Sequence, residues 1–214
     1  MLPMAMDILL HLPKAGKTYL YEHKMKKTLI EGITIQGIGF NKNDGEVLEY
    51  ENCHFKNCDF SEADLSGCIF TDCRFDTCNL SLAKLDKTAL RTVHFTHCKM
   101  LALRFDSCNS FGLELGFENC RLDHSSFYGT KIKKTVFLNS QLVECDFAEC
   151  DLSGAVFSNC DLTGTLFENT ILEYTDFRTA FNFTLNPEMN RVKKAKFSLA
   201  GLPGLLSHLP IEIE

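Results

Sequence analysis

Residues 58–80 read CDFSEADLSGCIFTDCRFDTCNL, and in this stretch Phe60, Leu65, Phe70, Phe75 and Leu80 fall five apart, with Cys58, Ala63, Cys68, Cys73 and Cys78 two positions before them. The grid extends outward in both directions. It runs from Phe55 to Phe105, slips by two residues, resumes at Phe117 and continues to Phe177, and all 24 central positions are apolar. The position two before each centre is mostly Cys, Ala, Ser or Thr; all eleven cysteines of the 214-residue chain occupy it, although Cys108 is followed by Ser110 where a centre belongs. A strand repeats its facing every ~2 residues and a helix every ~3.6, so neither keeps positions five apart on one side over such a distance. The spacing works only if the backbone turns a corner every five residues, and four such sides close a square coil of about twenty residues, a solenoid.

Each inward position has its own demand. Large Phe and Leu side chains stack coil upon coil into apolar columns, whereas the narrow space beside each column admits only small side chains, among which a thiol behaves as a compact hydrophobe. Adding twenty residues traces ladders: Cys58, Cys78 and Cys98; Cys53 and Cys73; Cys120, Ser140 and Cys160. Because cysteine alternates with Ala, Ser and Thr at equivalent rungs, the pattern predicts free thiols chosen for size, not for pairing.

The recurring text, as in Ala63-Asp64-Leu65-Ser66-Gly67, Cys150-Asp151-Leu152-Ser153-Gly154 and Cys160-Asp161-Leu162-Thr163-Gly164, resembles the pentapeptide-repeat family over roughly residues 50 to 180. The resemblance implies an all-β fold, a right-handed quadrilateral parallel β-helix. Stacked four to a coil, the repeats give about six coils, on the order of 30 Å tall at a rung spacing of about 4.8 Å.

The ends are less regular. Ile30, Ile35, Phe40 and Tyr50 carry the grid backwards with Ile33, Ile38 and Leu48 in the small position, so residues 1–47 are expected to form an N-terminal cap or degenerate first coil, interrupted by the turn-like Asn41-Lys42-Asn43-Asp44-Gly45. Residues 48–202 form the β-helix, with the slip at 106–116 and an irregular coil at 178–196 around Asn186-Pro187-Glu188, after which Val192, Phe197 and Leu202 return in phase. Residues 203–214 allow a short helical cap followed by a strand-like Ile211-Glu212-Ile213. Their Leu205, Leu206 and Leu209 either plug the open end of the column or make a dimer seam. At the slip, Phe111 and Leu113 have no inward slot and belong to a local bulge, which is either a tolerated insertion or a protruding contact loop.

Composition limits the classes of function. The chain carries 22 basic and 28 acidic residues, a net charge of −6, and 45% hydrophobic residues. No run approaches the ~18 apolar residues a membrane span needs, and Met1 to Leu12 lacks the basic start and cleavage site of a signal peptide. Buried reduced cysteines then point to the cytoplasm. The charge is unevenly spread: residues 81–142 sum to +4 and residues 143–180 to −7.

The sequence holds no glycine-rich phosphate loop, HExxH or CxxC pair, and cysteines five apart sit on adjacent walls instead of clustering as zinc requires. His54, His94, His97 and His124 fall at outward positions. The expectation is a protein with no catalytic, cofactor or metal site and no direct contact to nucleic acid, which works through its outer surface. The candidate surface is acidic: Asp146, Glu149, Asp151, Asp161, Glu168, Glu173 and Asp176, of which Asp146, Glu149, Glu168, Asp151 and Glu173 lie on two adjoining walls. These are either solvated carboxylates or a partner-binding face. Within its family the chain loosely resembles the Qnr-type fluoroquinolone-resistance branch, through a C-terminal Asn-Pro coil followed by a short helix. That resemblance implies a DNA-mimicking protein that binds DNA gyrase or topoisomerase IV and protects it from quinolones; the alternative is a protein-interaction scaffold for another partner. Val136, Leu138 and Val156, with Leu166 and Ile171 also pointing outward, offer an apolar surface suited to a dimer or another partner, with a symmetric homodimer the favoured use.

Overall fold

The computed structural model describes residues 28–40 and 48–212. Among these residues the strands are β1 (Thr28–Glu31), β2 (Thr34–Gln36), β3 (Leu48–Glu51), β4 (His54–Lys56), β5 (Ile69–Thr71), β6 (Arg74–Asp76), β7 (Ala89–Arg91), β8 (Val93–Thr96), β9 (Leu115–Glu118), β10 (Val136–Leu138) and β11 (Val156–Ser158). They are parallel and build two sheets, one in the order β1-β3-β5-β7 and one running from β2 through β4, β6, β8, β9 and β10 to β11. The register advances twenty residues per coil, with Phe55 opposite Phe75 and Phe75 opposite Phe95. Isolated parallel bridges such as Asp59 to Asn79 and Asp64 to Lys84 complete the remaining sides. The product is a four-walled β-solenoid of about six turns. Following the chain around one coil, wall A carries Phe75, wall B Leu80, wall C Leu85 and wall D Leu90.

The core follows from which residue type each wall points inward. Wall A stacks phenyl rings along the rod, with centroids 4.6 Å apart for Phe55 and Phe75, 5.0 Å for Phe117 and Phe137 and 4.8 Å for Phe137 and Phe157. The opposite wall C does the same through Phe105, Phe127, Phe147 and Phe167. The two columns meet edge to face, as where Phe147 lies 5.9 Å from Phe157 at 79°, an arrangement the ring quadrupole favours. Aliphatic columns fill the two flanks: Leu122, Leu142 and Leu162 from wall B, and Ile132, Leu152 and Leu172 from wall D, all fully buried.

Nearly every corner, those after Phe105 and Phe177 excepted, is made two residues after a centre, where the backbone is left-handed. Asn52, Asn57, Asn119, Asn139, Asn159 and Asn169 hold this position with φ near +50°, and Gly67, Gly129, Gly154 and Gly164 occupy it elsewhere. Asn and Gly enter this region most readily, yet Thr77, Leu82, Lys134 and Tyr174 also adopt it, held there by the coils on either side.

The small position does more than fit a tight space. Cys78 Sγ donates to the Phe55 carbonyl at 3.5 Å, Cys98 to Phe75 at 3.4 Å and Cys145 to Leu122 at 3.2 Å. Thr88 and Thr175 hydroxyls donate to the equivalent carbonyls of Leu65 and Leu152 at 2.8 and 2.9 Å. Cysteine, serine and threonine therefore interchange because each offers one short donor to the preceding coil; size alone is an incomplete account.

The slip is absorbed on one wall. Between β8 and β9 the register becomes Phe95 opposite Phe117, so wall A continues unbroken, while the sheet of wall D ends at β7 and resumes only as bridges from Lys131 to Asp151 and onward. The two extra residues lie in the bulge on wall D. Phe111 stands 77% exposed, with the Arg91 guanidinium 5.8 Å over its ring. Leu113 departs from expectation: it is half-buried and packs against the core, because the bulge folds back over the vacancy left by Ser110.

At the N-terminal end β1 pairs with β3 and β2 with β4, and Phe40 stacks on Phe60 at 4.0 Å. Residues 1–27, including Met1 to Leu12, and the turn at Asn41 to Gly45 lie outside the described residues. At the other end Phe183 and Leu185 are buried in place of regular centres, and Asn190 takes the small position, bonding the Phe167 carbonyl and the Thr170 amide at 2.9 Å each. Phe197 returns in phase and stacks on Phe177 at 5.3 Å. Leu202 does not: it is 42% exposed and begins α1 (Leu202–Leu206), because Pro203 favours a helix start over another corner. The helix closes against Phe183, where a methyl group at Gly204 would collide with the Phe183 carbonyl. No strand forms at Ile211 or Glu212, and Ile213 lies outside the described residues.

Phe147, with no exposed surface, sits inside the wall-C ring column and meets the wall-A column edge to face. Phe147→Ala should destabilise the protein by about 3–5 kcal/mol in denaturant unfolding through the cavity it leaves, whereas Asp146→Ala on the outside of the same wall should cost about 1 kcal/mol or less.

Candidate functional site

The outward positions of the last coils carry the acids singled out by sequence, and the fold distributes them unequally. Asp146 lies on wall C, where its carboxylate accepts the Ala148 amide at 2.9 Å. Glu149 and Glu168 are exposed on the same wall and at its corner with wall D, and among the described residues neither has a cation within ion-pair distance. Asp151 on wall D is buried, 3.1 Å from Lys133 Nζ, and accepts the Ser153 hydroxyl and amide. Burial works to raise its pKa, but Ser153 and Lys133 hold it below the usual carboxylate value. Glu173, also on wall D, pairs with Arg191 at 2.7 Å.

Asp161 and Asp176 face elsewhere. Asp161, on wall B, accepts the Thr163 hydroxyl and the Asn182 amide at 2.6 and 3.0 Å; burial opposes these bonds, yet its pKa is lowered. Asp176, on wall A, is gripped by Arg178 through Nε and Nη2, with Lys196 3.8 Å away. Thus Asp151, Glu173 and Asp176 are charge-compensated, whereas Asp146, Glu149 and Glu168, on wall C and at its corner with wall D, and Asp161 on wall B have no ion pair among the described residues. Sequence reasoning missed two further residues, Tyr128 beside the edge between walls C and D and Glu144 at the opposite corner of wall C, with wall B. The phenol of Tyr128 is bonded to Glu149, which raises its pKa, and Glu144 reaches His124 Nδ1 at 3.1 Å. Both residues lie one or two places after a centre, which was the available signal.

The other candidates separate in the same way. Val136 and Leu166 are 47% and 42% exposed, while Leu138, Val156 and Ile171 are half-buried; Val136 and Val156 stack in register on wall A, but Leu166 and Ile171 belong to walls C and D. In α1 and beyond, Leu205 packs against the core whereas Leu206 and Leu209 remain exposed. His97 lies 3.9 Å from Asp76. Among the described residues no group of three or more His, Cys, Asp or Glu side chains could hold a metal ion, and no helix is long and apolar enough to cross a membrane.

None of the eleven thiols is joined in a disulfide, and all are buried except Cys108, which is intermediate. Burial pushes Cys73 and Cys160 up to about 11 and Cys145 and Cys150 up to about 12. The thiolate is the reactive form and burial raises Cys108 to about 12 as well, so at pH 8 a thiol reagent should label the folded protein slowly, first at Cys108 because it alone is partly exposed, and reach all eleven cysteines only after unfolding in guanidinium.

Arg178 is the main cause that holds the Asp176 pKa below its ordinary 3.8. A depressed carboxylate contributes stability above its unfolded pKa and loses it as pH falls through the folded value. The melting temperature should therefore fall as the pH drops below the ordinary 3.8, and Asp176→Asn should make that fall shallower.

Comparison with known proteins adds three findings. A model described as a pentapeptide repeat region matches residues 48–116 and 104–177. A trypsin-treated variant of QnrB1, described as a plasmid-mediated fluoroquinolone resistance protein, aligns with a TM-score of 0.56 at 18% identity, covering 87% of this chain and 100% of that one. A second trypsin-treated QnrB1 variant gives 0.56 at 19% identity over 86% of this chain and 99% of that one. At these identities the likeness shows a shared fold. No curated protein sequence matches the chain.

Proposed function

Because the chain belongs to the pentapeptide-repeat family, we propose that it is a non-catalytic protein-binding rod whose partner is a type II topoisomerase, DNA gyrase or topoisomerase IV, engaged through the acidic edge between walls C and D. The observation that carries this reading is the placement of Asp146, Glu149 and Glu168 on that edge, with Glu149 and Glu168 free of any ion pair among the described residues. Its fold is that of QnrB1, a fluoroquinolone resistance protein, which supports the choice of partner. B-DNA presents one phosphate charge per about 1.7 Å of axis, so two coils, roughly 9 Å, would match about five phosphates. The open acids fall short of that number. Imitation of DNA is therefore local, confined to one edge, with the remaining contact made by neighbouring polar groups such as Tyr128.

A second reading has its own support. Asp151, Glu173 and Asp176 are neutralised by Lys133, Arg191 and Arg178, and the slip yields one short bulge in place of long projecting loops. Both features suit a scaffold for a different protein.

A gyrase supercoiling assay with ciprofloxacin separates the two. Micromolar protein should restore supercoiling, and the Glu149→Gln, Glu168→Gln double variant should lose most of that effect while keeping its melting temperature. Absence of protection by the unmodified protein at micromolar concentration would leave the scaffold reading in its place.

A further inference from the structure

Wall A carries a groove of about 900 Å³ beside the bulge. Its floor is the ladder of outward residues before the wall-A centres, in which Arg74 lies opposite His94, His94 opposite Gly116 and Gly116 opposite Val136. The glycine makes the depression. A methyl group built at Gly116 would stand 2.5 Å from His94 Nδ1, so the imidazole leans into space that any side chain at residue 116 would fill. This glycine is not at a left-handed corner; it is in the middle of β9, where glycine weakens a strand and marks a close approach.

The two rims carry opposite charge. On the side toward wall D, Lys131, Lys133 and Lys134 crowd one pentapeptide, and Glu114 sits beneath them in the bulge. Lys133 is engaged with Asp151; among the described residues Lys131 and Lys134 have no acid within ion-pair distance. On the side toward wall B the rim is formed by Asp76 and Glu118, and Glu118 likewise has no cation in reach among the described residues. Between the rims the floor offers His54, which burial first, then Lys56 and Arg74, hold below its ordinary pKa against the pull of Asp76. A neutral imidazole presents one donor and one acceptor.

We propose that this groove binds an extended peptide segment of a partner protein with alternating acidic and basic residues, the acidic side chains on the Lys131/Lys134 rim and the basic ones on the Glu118 rim. An extended chain sends successive side chains to opposite sides, which is what two rims of opposite sign select. From the Arg74 rung to the Val136 rung is three coil spacings, roughly 14 Å, the span of about four extended residues. The strands of wall A are already paired on both sides, β9 between β8 and β10, so the peptide binds by its side chains and not by adding a strand. A uniformly acidic ligand, duplex DNA included, meets repulsion from Asp76, Glu114 and Glu118. The site shares with the preceding section only the premise that the rod binds protein; no topoisomerase is involved in testing it.

The test is fluorescence anisotropy on the full chain at low salt, with a labelled, end-blocked hexapeptide of alternating Glu and Lys, an all-Glu hexapeptide and a short DNA duplex. The alternating peptide should bind saturably, and at least ten times more tightly than the all-Glu peptide. Lys131→Glu with Lys134→Glu, and separately Glu118→Lys, should each weaken it at least tenfold. All three residues are exposed, so folding is retained and is checked by circular dichroism. Gly116→Ala should weaken binding by displacing His94. Equal or tighter binding of the all-Glu peptide or of DNA, unchanged affinity in the rim variants, or no saturable binding up to millimolar peptide would each overturn the proposal.

Discussion

A left-handed residue at nearly every fifth position, Ser107 and Thr179 excepted, is the constraint on which the rest of the molecule depends. It turns the chain through a corner, and the repetition of that corner brings each centre over the one a coil earlier. Left-handed backbone costs a non-glycine residue roughly 1 kcal/mol, and Thr77, Leu82 and Tyr174 accept it. What offsets the cost is collective. The stacked rings of walls A and C, the ladder bonds between coils, and the thiol or hydroxyl donors reaching the preceding coil exist only if every corner is made, so no single corner can relax without opening the rungs above and below.

That constraint also divides the side chains into those that stabilise and those available to partners. The reactive groups that a composition count would notice first, the cysteines, are used inside, their Sγ atoms bonded to carbonyls and their thiolates disfavoured by burial. The histidines, lysines and acids are displayed outside on flat walls, at heights set by the coil spacing. Charge on such a surface cannot be judged from its sum. Residues 143–180 total −7, yet Lys133 from the coil below and Arg191 from the coil above reach into this region to engage Asp151 and Glu173, and the open acidity contracts to wall C with its wall-D edge and to Asp161 on wall B.

The slip shows how a rod acquires a feature. Two extra residues could not be spread over four walls without losing register, and wall A, with its ring column, keeps its pairing while wall D yields. The bulge that results gives a rim to the floor of wall A, and the glycine in β9 deepens it. The deepest depression on this solenoid lies where the repeat fails, because there the surface departs from a plane.

Much of this was legible in the residues. The five-residue beat of Phe and Leu determined the solenoid, its inward columns, the ladders of Cys58, Cys78 and Cys98, and the location of the break, because burial demands the same residue type at each equivalent rung. The corner conformation was also written, in the recurrence of Asn and Gly two places after the centre, a signal overlooked beside the stronger apolar one. Only the tertiary structure decided that Leu113 folds inward, that Leu202 turns out into a helix, that Asp151, Glu173 and Asp176 are neutralised, and that Gly116 opens a groove between rims of opposite sign. Those outcomes depend on contacts between residues about twenty positions apart and on neighbouring walls, where the sequence period fixes the height of a side chain but not which partner it meets.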